Sequence, residues 1–154
     1  MNIPAQTLSL TILTLVFSFP ALASGELDIE DAWIAEAPPV SKVMAAYMKI
    51  ENESDRDHQI TAMQCEAFAR AEFHRTIEKD GMASMEHQHT LDIAAGSELV
   101  LKPGGYHIML FNPARRLYSG DKTGCSMTLE NGTRINIDLV VKKSSVEEHS
   151  HHHH

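Results

Sequence analysis

The chain has 154 residues, 43% of them hydrophobic, and a formal net charge of −8 at pH 7 with its ten histidines neutral. That acidic balance argues against nucleic acid or an anionic lipid surface as the partner. Once an apolar leader is set aside, the length fits one domain with a single core.

The leader is residues 8–23, LSLTILTLVFSFPALA, an apolar run broken at Pro20 and closed by Ala21-Leu22-Ala23. A short apolar run with a small-x-small exit is the pattern of a secretory signal peptide, so cleavage is expected after Ala23. The rival is an uncleaved anchor; the first seven residues do lack Lys and Arg, but the run is short for a membrane span. With no cysteine at the cleavage point, a lipid anchor is not expected. The expectation is a periplasmic protein, exported by a cleaved signal peptide 1–23 and without a membrane anchor.

Residues 24–142 form the expected domain, and their pattern is one of short apolar stretches separated by turn signals. LDIEDAWIAEA stops at Pro38-Pro39, and VMAAYMKIEN ends in the polar run ENESDRD. HQITAMQC, ARAEFHRTIEK, the turn KDG and MASMEHQHTLDI follow, then ELVLKPGG and YHIMLF. The last pair, CSMTLE and TRINIDLVVKK, flanks Asn131-Gly132, the strongest hairpin dipeptide in the chain. Many short strands at this spacing predict an all-β Greek-key barrel or sandwich. One short helical turn is expected in ARRLYSG. Trp33 and Tyr47 are expected in the core, and His58, in the run DRDHQ, in solvent. The sequons at Asn52 and Asn131 carry no weight in a bacterial-looking protein.

Cys65 and Cys125 are the only cysteines, 60 positions apart and with no C-x-x-C pair. In an oxidising compartment they read as one structural disulfide; a thiolate metal or redox site is the alternative. The tail from residue 143 has Glu147, Glu148, His149, His151, His152, His153 and His154 and almost no apolar side chains. It is expected to be disordered. It reads either as a native acidic-imidazole tract able to take Cu(II), Zn²⁺ or Ni²⁺, or as an expression tag.

Chemistry concentrates in two stretches. In YHIMLF, strand alternation sets Tyr106, Ile108 and Leu110 on a core-facing side and His107, Met109 and Phe111 on the other. Singly, a His or Met on the outer face is surface filler; the adjacent pair is more informative. The second stretch, HRTIEKDGMASMEHQH, holds His74, Met82, Met85, His87 and His89 around the turn at Lys79-Asp80-Gly81. Methionine is ordinarily core filler, and a polar turn region is a poor place for it. Thioether sulfur is soft and uncharged and imidazole intermediate, so the set suits Cu(I). It lacks the carboxylates that Ca²⁺ or Mg²⁺ would need and the thiolates favoured by structural zinc.

The run His74, ten residues, Met85, twenty-one residues, His107, one residue, Met109 resembles the signature of the periplasmic copper chaperones of the PCuAC type. LKPGGYHIML looks like that family's most recognisable segment, and DAWIAEAPP, AAYMKIEN, AEFH and SGD…MTLEN resemble its other blocks in order. The likeness covers residues 27–140. It implies a cupredoxin-like β-barrel that binds Cu(I) through His74, Met85, His107 and Met109. It also implies a partner: a copper-accepting oxidase subunit or assembly factor, at the dinuclear copper centre of a haem–copper oxidase. Departures from the family are Arg75, where members often have Met, the additional candidate ligands Met82, His87 and His89, and the two cysteines.

Together these point to a monomeric, non-enzymatic copper carrier. A scavenging or tolerance protein with the same site is the alternative. An electron-carrying cupredoxin is disfavoured because neither cysteine has a His/Met arrangement beside it. A copper enzyme is disfavoured because a thioether-rich site opposes redox cycling.

Overall fold

The computed structural model describes residues 27–143. The expected signal peptide and the tail histidines lie outside the described residues. Ten strands follow one another: β1 (Asp28–Ala35), β2 (Val43–Glu51), β3 (His58–Cys65), β4 (Phe68–Lys79), β5 (Met82–Gln88), β6 (Leu91–Ile93), β7 (Glu98–Leu101), β8 (Tyr106–Pro113), β9 (Lys122–Leu129) and β10 (Arg134–Lys142). Among the described residues there is no helix, and so none that could cross a membrane.

Alternation makes these strands. Along β2, Met44, Ala46, Met48 and Ile50 are buried while Val43, Ala45, Tyr47 and Lys49 are not, so one face closes on the core. In β9 the buried set is Thr123, Cys125, Met127 and Leu129. The strands join in one ladder ordered β5-β4-β8-β7-β2-β1-β10-β9-β3-β6, antiparallel except for β1 with β10 and β7 with β8. Both halves of the ladder contribute to a single apolar cluster, with Ile108 and Leu110 from one half and Met127 and Leu139 from the other. The architecture is all-β and cupredoxin-like, as the strand pattern and the family resemblance led one to expect. The ladder is folded on itself, with β5 and β6 left as open edges.

Turn chemistry fixes the register. Asp80 and Gly81 both have positive φ, 55° and 75°, so β4 and β5 are joined by a two-residue type I′ turn. At Asn131-Gly132 the hairpin has a three-residue loop instead, with Gly132 in the left-handed region and Leu129 accepting its N–H. β7 and β8 pair in succession with the same strand, β2, and residues 102–105 bulge out between them.

Several local expectations are corrected. ARRLYSG contains bends and a turn instead of a helical turn, because Tyr118 N–H and Arg115 both donate to the Asp121 carboxylate and lock a compact loop. Trp33 and Tyr47 are half-buried and lie against each other on the outer face, ring centroids 4.9 Å apart. A bulge between Glu30 and Trp33 resets the β1 alternation so that Ile34 takes the core position. His58 is buried, only 4% exposed, because it opens β3 opposite Ile93. Its Nδ1 stands 3.4 Å from Glu130 Oε1, longer than a well-formed hydrogen bond. Asn52 is also buried. Its Nδ2 donates to the carbonyls of Arg56, Ile93 and Ala94, and its Oδ1 accepts from Ser54, so the sequon there is a loop clamp.

Cys65 and Cys125 are direct cross-strand partners between β3 and β9 and are joined by a disulfide. The bridge ties positions 60 apart, for which chain entropy gives about 4 kcal/mol of stabilisation. Cys65→Ala/Cys125→Ala should therefore lower the unfolding free energy from urea denaturation by about 4 kcal/mol, with a somewhat larger m value because the unlinked chain expands further on unfolding. A drop under about 1 kcal/mol would show that the reduced chain is held together without the bridge.

Candidate metal centre

The centre is built on the outer face of β8, β4 and β5. Period two places Glu72, His74 and Thr76 on one face of β4, and their cross-strand partners share that face. Met109 lies opposite Glu72 and His107 opposite His74 on β8; His87 lies opposite His74 and Met85 opposite Thr76 on β5. Strand pairing therefore brings His74, Met85, His107 and Met109 to one surface, although they span 36 positions of sequence.

The side chains converge further. Met85, His107 and Met109 line one hollow of about 240 Å³, together with Tyr47, Thr76 and Pro103. The His74 ring stacks on the His107 ring, centroids 6.0 Å apart and planes inclined by 26°. His107 is deeper than a strand-face position at a rim would suggest, 5% exposed, because the bulging residues 102–105 wall it in. Met85 is 62% exposed, on the edge strand. The set thus runs from a buried imidazole to a thioether in contact with solvent.

Hydrogen bonds orient both imidazoles. His107 Nδ1 is 3.0 Å from the Gly105 carbonyl, which can only accept, so Nδ1 carries the proton and Nε2 keeps its lone pair. His74 Nε2 is 3.1 Å from Glu72 Oε2. That hydrogen bond is the main reason the Glu72 carboxyl is held below its ordinary value of 4.5; Arg70, bonded to Oε1 at 2.9 Å, adds to it. An ionised carboxylate accepts, so His74 donates from Nε2, and its Nδ1, buried and without a partner, keeps a lone pair. A carboxylate or carbonyl behind each ring is how metal-binding histidines are ordinarily held. Two such nitrogens beside two thioethers form a donor set that suits cuprous copper.

Of the additional candidates, His87 is brought in and Met82 is not. The His87 ring meets His74 edge-on at 5.3 Å, and His89 meets His87 edge-on at 5.0 Å. Met82 pairs with Lys79 and so points to the other face of the hairpin. His149, His151, His152, His153 and His154 lie outside the described residues. Glu72 and Tyr47 were missed by sequence reasoning. Glu72 carried a signal, since two positions before His74 in a strand is the same face; the placing of Tyr47 depends on β2 lying beside β8.

Two other features hold no such donor set. A cleft of about 700 Å³ over the disulfide, between β3, β4, β9 and β10, has Glu66, Arg70 and Asp138 in its lining and no imidazole. Asp28, Glu30 and Glu51 cluster closely, but the Lys49 ammonium lies 2.5 Å from both glutamates and already occupies them as a counter-ion.

Known proteins share this architecture. The copper-bound PCuAC domain from PmoF2 superposes with a TM-score of 0.67 at 20% identity, over 79% of this chain and 97% of that one. The CuI form of DR1885 from Deinococcus radiodurans gives a TM-score of 0.66 at 28% identity, over 81% and 83%. The fold is thus the cupredoxin-like one of PCuAC domains. Residues 27–141 match the family described as "Putative lipoprotein LpqE-like", and the chain belongs to that LpqE-like family. A curated relative, "Putative lipoprotein Lxx21020" of Leifsonia xyli subsp. xyli, is 27% identical over 127 residues, 82% of this chain and 75% of that protein.

Because the Glu72 carboxyl is held low in the folded protein, its contribution to stability is present above pH 4.5 and is lost as pH falls through the folded value. The stability gap between wild type and Glu72→Gln, followed by urea denaturation, should therefore narrow as pH drops below 4.5. A gap that is flat across that range would mean that the Glu72 charge does not anchor His74.

Proposed function

We propose that this protein is an exported copper chaperone that holds one Cu(I) with His74, Met85, His107 and Met109 and passes it to a copper-accepting partner. The observation that carries the reading is the pair of imidazole lone pairs, His74 Nδ1 and His107 Nε2, left available beside two thioethers on one sheet face. Two relatives of the fold are described as copper-bound and CuI forms, and lipoprotein names among the sequence relatives support export. The recipient we favour is an oxidase subunit or assembly factor at a dinuclear copper centre, with the chaperone acting as a monomer in the periplasm.

Transfer on this reading is ligand exchange. Met85, on the exposed edge strand, is the first ligand that a partner's thiolate reaches; thioethers are weaker donors, so they leave first. His107 leaves last, since it lies deepest. Copper stays cuprous throughout and no proton is needed, so affinity falls only where the imidazoles protonate. The electron-carrier alternative loses its thiolate ligand, because both cysteines are in the disulfide. A scavenging role would use the same site and differs only in having no recipient.

Titration against a cuprous chelator should give one Cu(I) per domain with the tail removed. His107→Ala or Met109→Ala should weaken it by about two orders of magnitude, on the scale of about 1.4 kcal/mol per tenfold. If the protein changed at all four positions holds Cu(I) equally tightly, the site is elsewhere. A separate, weaker Cu(II) site should disappear when the chain is cut after Val146; its persistence would rule out the tail histidines as its ligands.

A further inference from the structure

Four histidine rings stand in a row on the outer face of the β8-β4-β5 sheet: His107, His74, His87 and His89. Successive centroids are 6.0, 5.3 and 5.0 Å apart. The row follows from register, because His74 is the cross-strand partner of both His107 and His87, and His89 lies one residue past the end of β5 with its ring against that of His87. It is graded in depth: His107 is 5% exposed, the His74 side chain 13%, and His87 and His89 are both exposed.

The spacing suits metal exchange. With nitrogen–metal bonds of about 2.0–2.1 Å, two imidazoles sharing one ion have ring centroids about 5–6 Å apart. Every neighbouring pair in the row meets that condition, so rotation of side chains alone lets an ion be held by two rings at a time. The Glu72 carboxyl lies beside the middle of the row, one oxygen against His74 Nε2 at 3.1 Å and the other against Arg70 at 2.9 Å.

We infer that His89 and His87 form an outer docking site for cuprous copper, and that the ion moves along the row into the holding site. This rests on the copper-chaperone reading above. The ion first binds the ring nitrogens of His87 and His89. The free Nδ1 of His74 then joins as His89 leaves, and His107, Met109 and Met85 take over as His87 leaves. Only metal–ligand bonds are exchanged, and copper remains Cu(I). His87 and His89 are therefore loading residues that govern how fast copper enters, and they are not part of the set that sets affinity. An edge strand suits this task, because no neighbouring strand covers it.

The test is stopped-flow loading of Cu(I) from a chromogenic cuprous chelator, without oxygen. It uses the full chain with His149, His151, His152, His153 and His154 changed to alanine in every arm. His87→Ala/His89→Ala should load more slowly by about tenfold or more, as expected for a barrier raised by one weak ligand contact, while its equilibrium affinity stays that of the parent. His89→Ala alone, outside the strand and so harmless to its pairing, should also slow loading. An unchanged rate in both variants overturns the inference. So does an affinity loss matching that of His107→Ala, which would make these residues holding ligands. Failure of the chaperone reading looks different: His107→Ala would bind Cu(I) as tightly as the parent.

Discussion

The pairing of β4 with β8 is the constraint on which the candidate centre depends. His74 faces His107 and Glu72 faces Met109 only in that one register. A slip of one residue would turn the shifted strand's candidate ligands to the opposite face. The register is fixed from the other side of the sheet, where Phe73 and Ile108 are cross-strand partners and both are buried. Ligands and core residues thus alternate along the same two strands. The apolar packing that folds the protein also sets the side chains of the candidate centre opposite one another, and a core substitution at Phe73 or Ile108 would disturb both.

The two histidines are prepared in complementary ways. A backbone carbonyl holds Nδ1 of one ring, and a carboxylate holds Nε2 of the other, so different nitrogens are left for a ligand. Preparing a ring in this way reduces the ordering needed on binding. The sulfurs are not prepared to the same degree, since Met85 stands largely in solvent on the edge strand. The two imidazoles are preorganised and Met85 is adaptable, a combination that suits the proposed role of binding and then releasing a metal.

Much of this was legible in the sequence, and the physical reason is parity. Alternation along YHIMLF was enough to put His107 and Met109 together, and turn dipeptides at Asp80-Gly81 and Asn131-Gly132 marked two hairpins. What stayed hidden depends on contacts between distant strands. The polar neighbours of His58 suggested solvent, yet pairing with β6 buries it. Trp33 and Tyr47 looked like core aromatics, but a bulge in β1 that no local pattern announces turns Trp33 outward, and Tyr47 falls on the outer parity of β2. The depth of His107 follows from the loop at residues 102–105, which bulges out where β7 and β8 succeed one another along β2.

The type I′ turn at Asp80-Gly81 has a consequence for how this chain can vary. Two residues are the shortest link between antiparallel strands, and both have left-handed backbone. Because side chains alternate, adding a single residue to either strand of the hairpin while this two-residue turn is kept would reverse the inside–outside sense of everything from Met82 to Gln88. While the two-residue turn is kept, this arm can lengthen or shorten only by pairs, a quantised freedom that preserves which sulfur and which nitrogens share the outer face; a single added residue needs a wider loop or a bulge to absorb it.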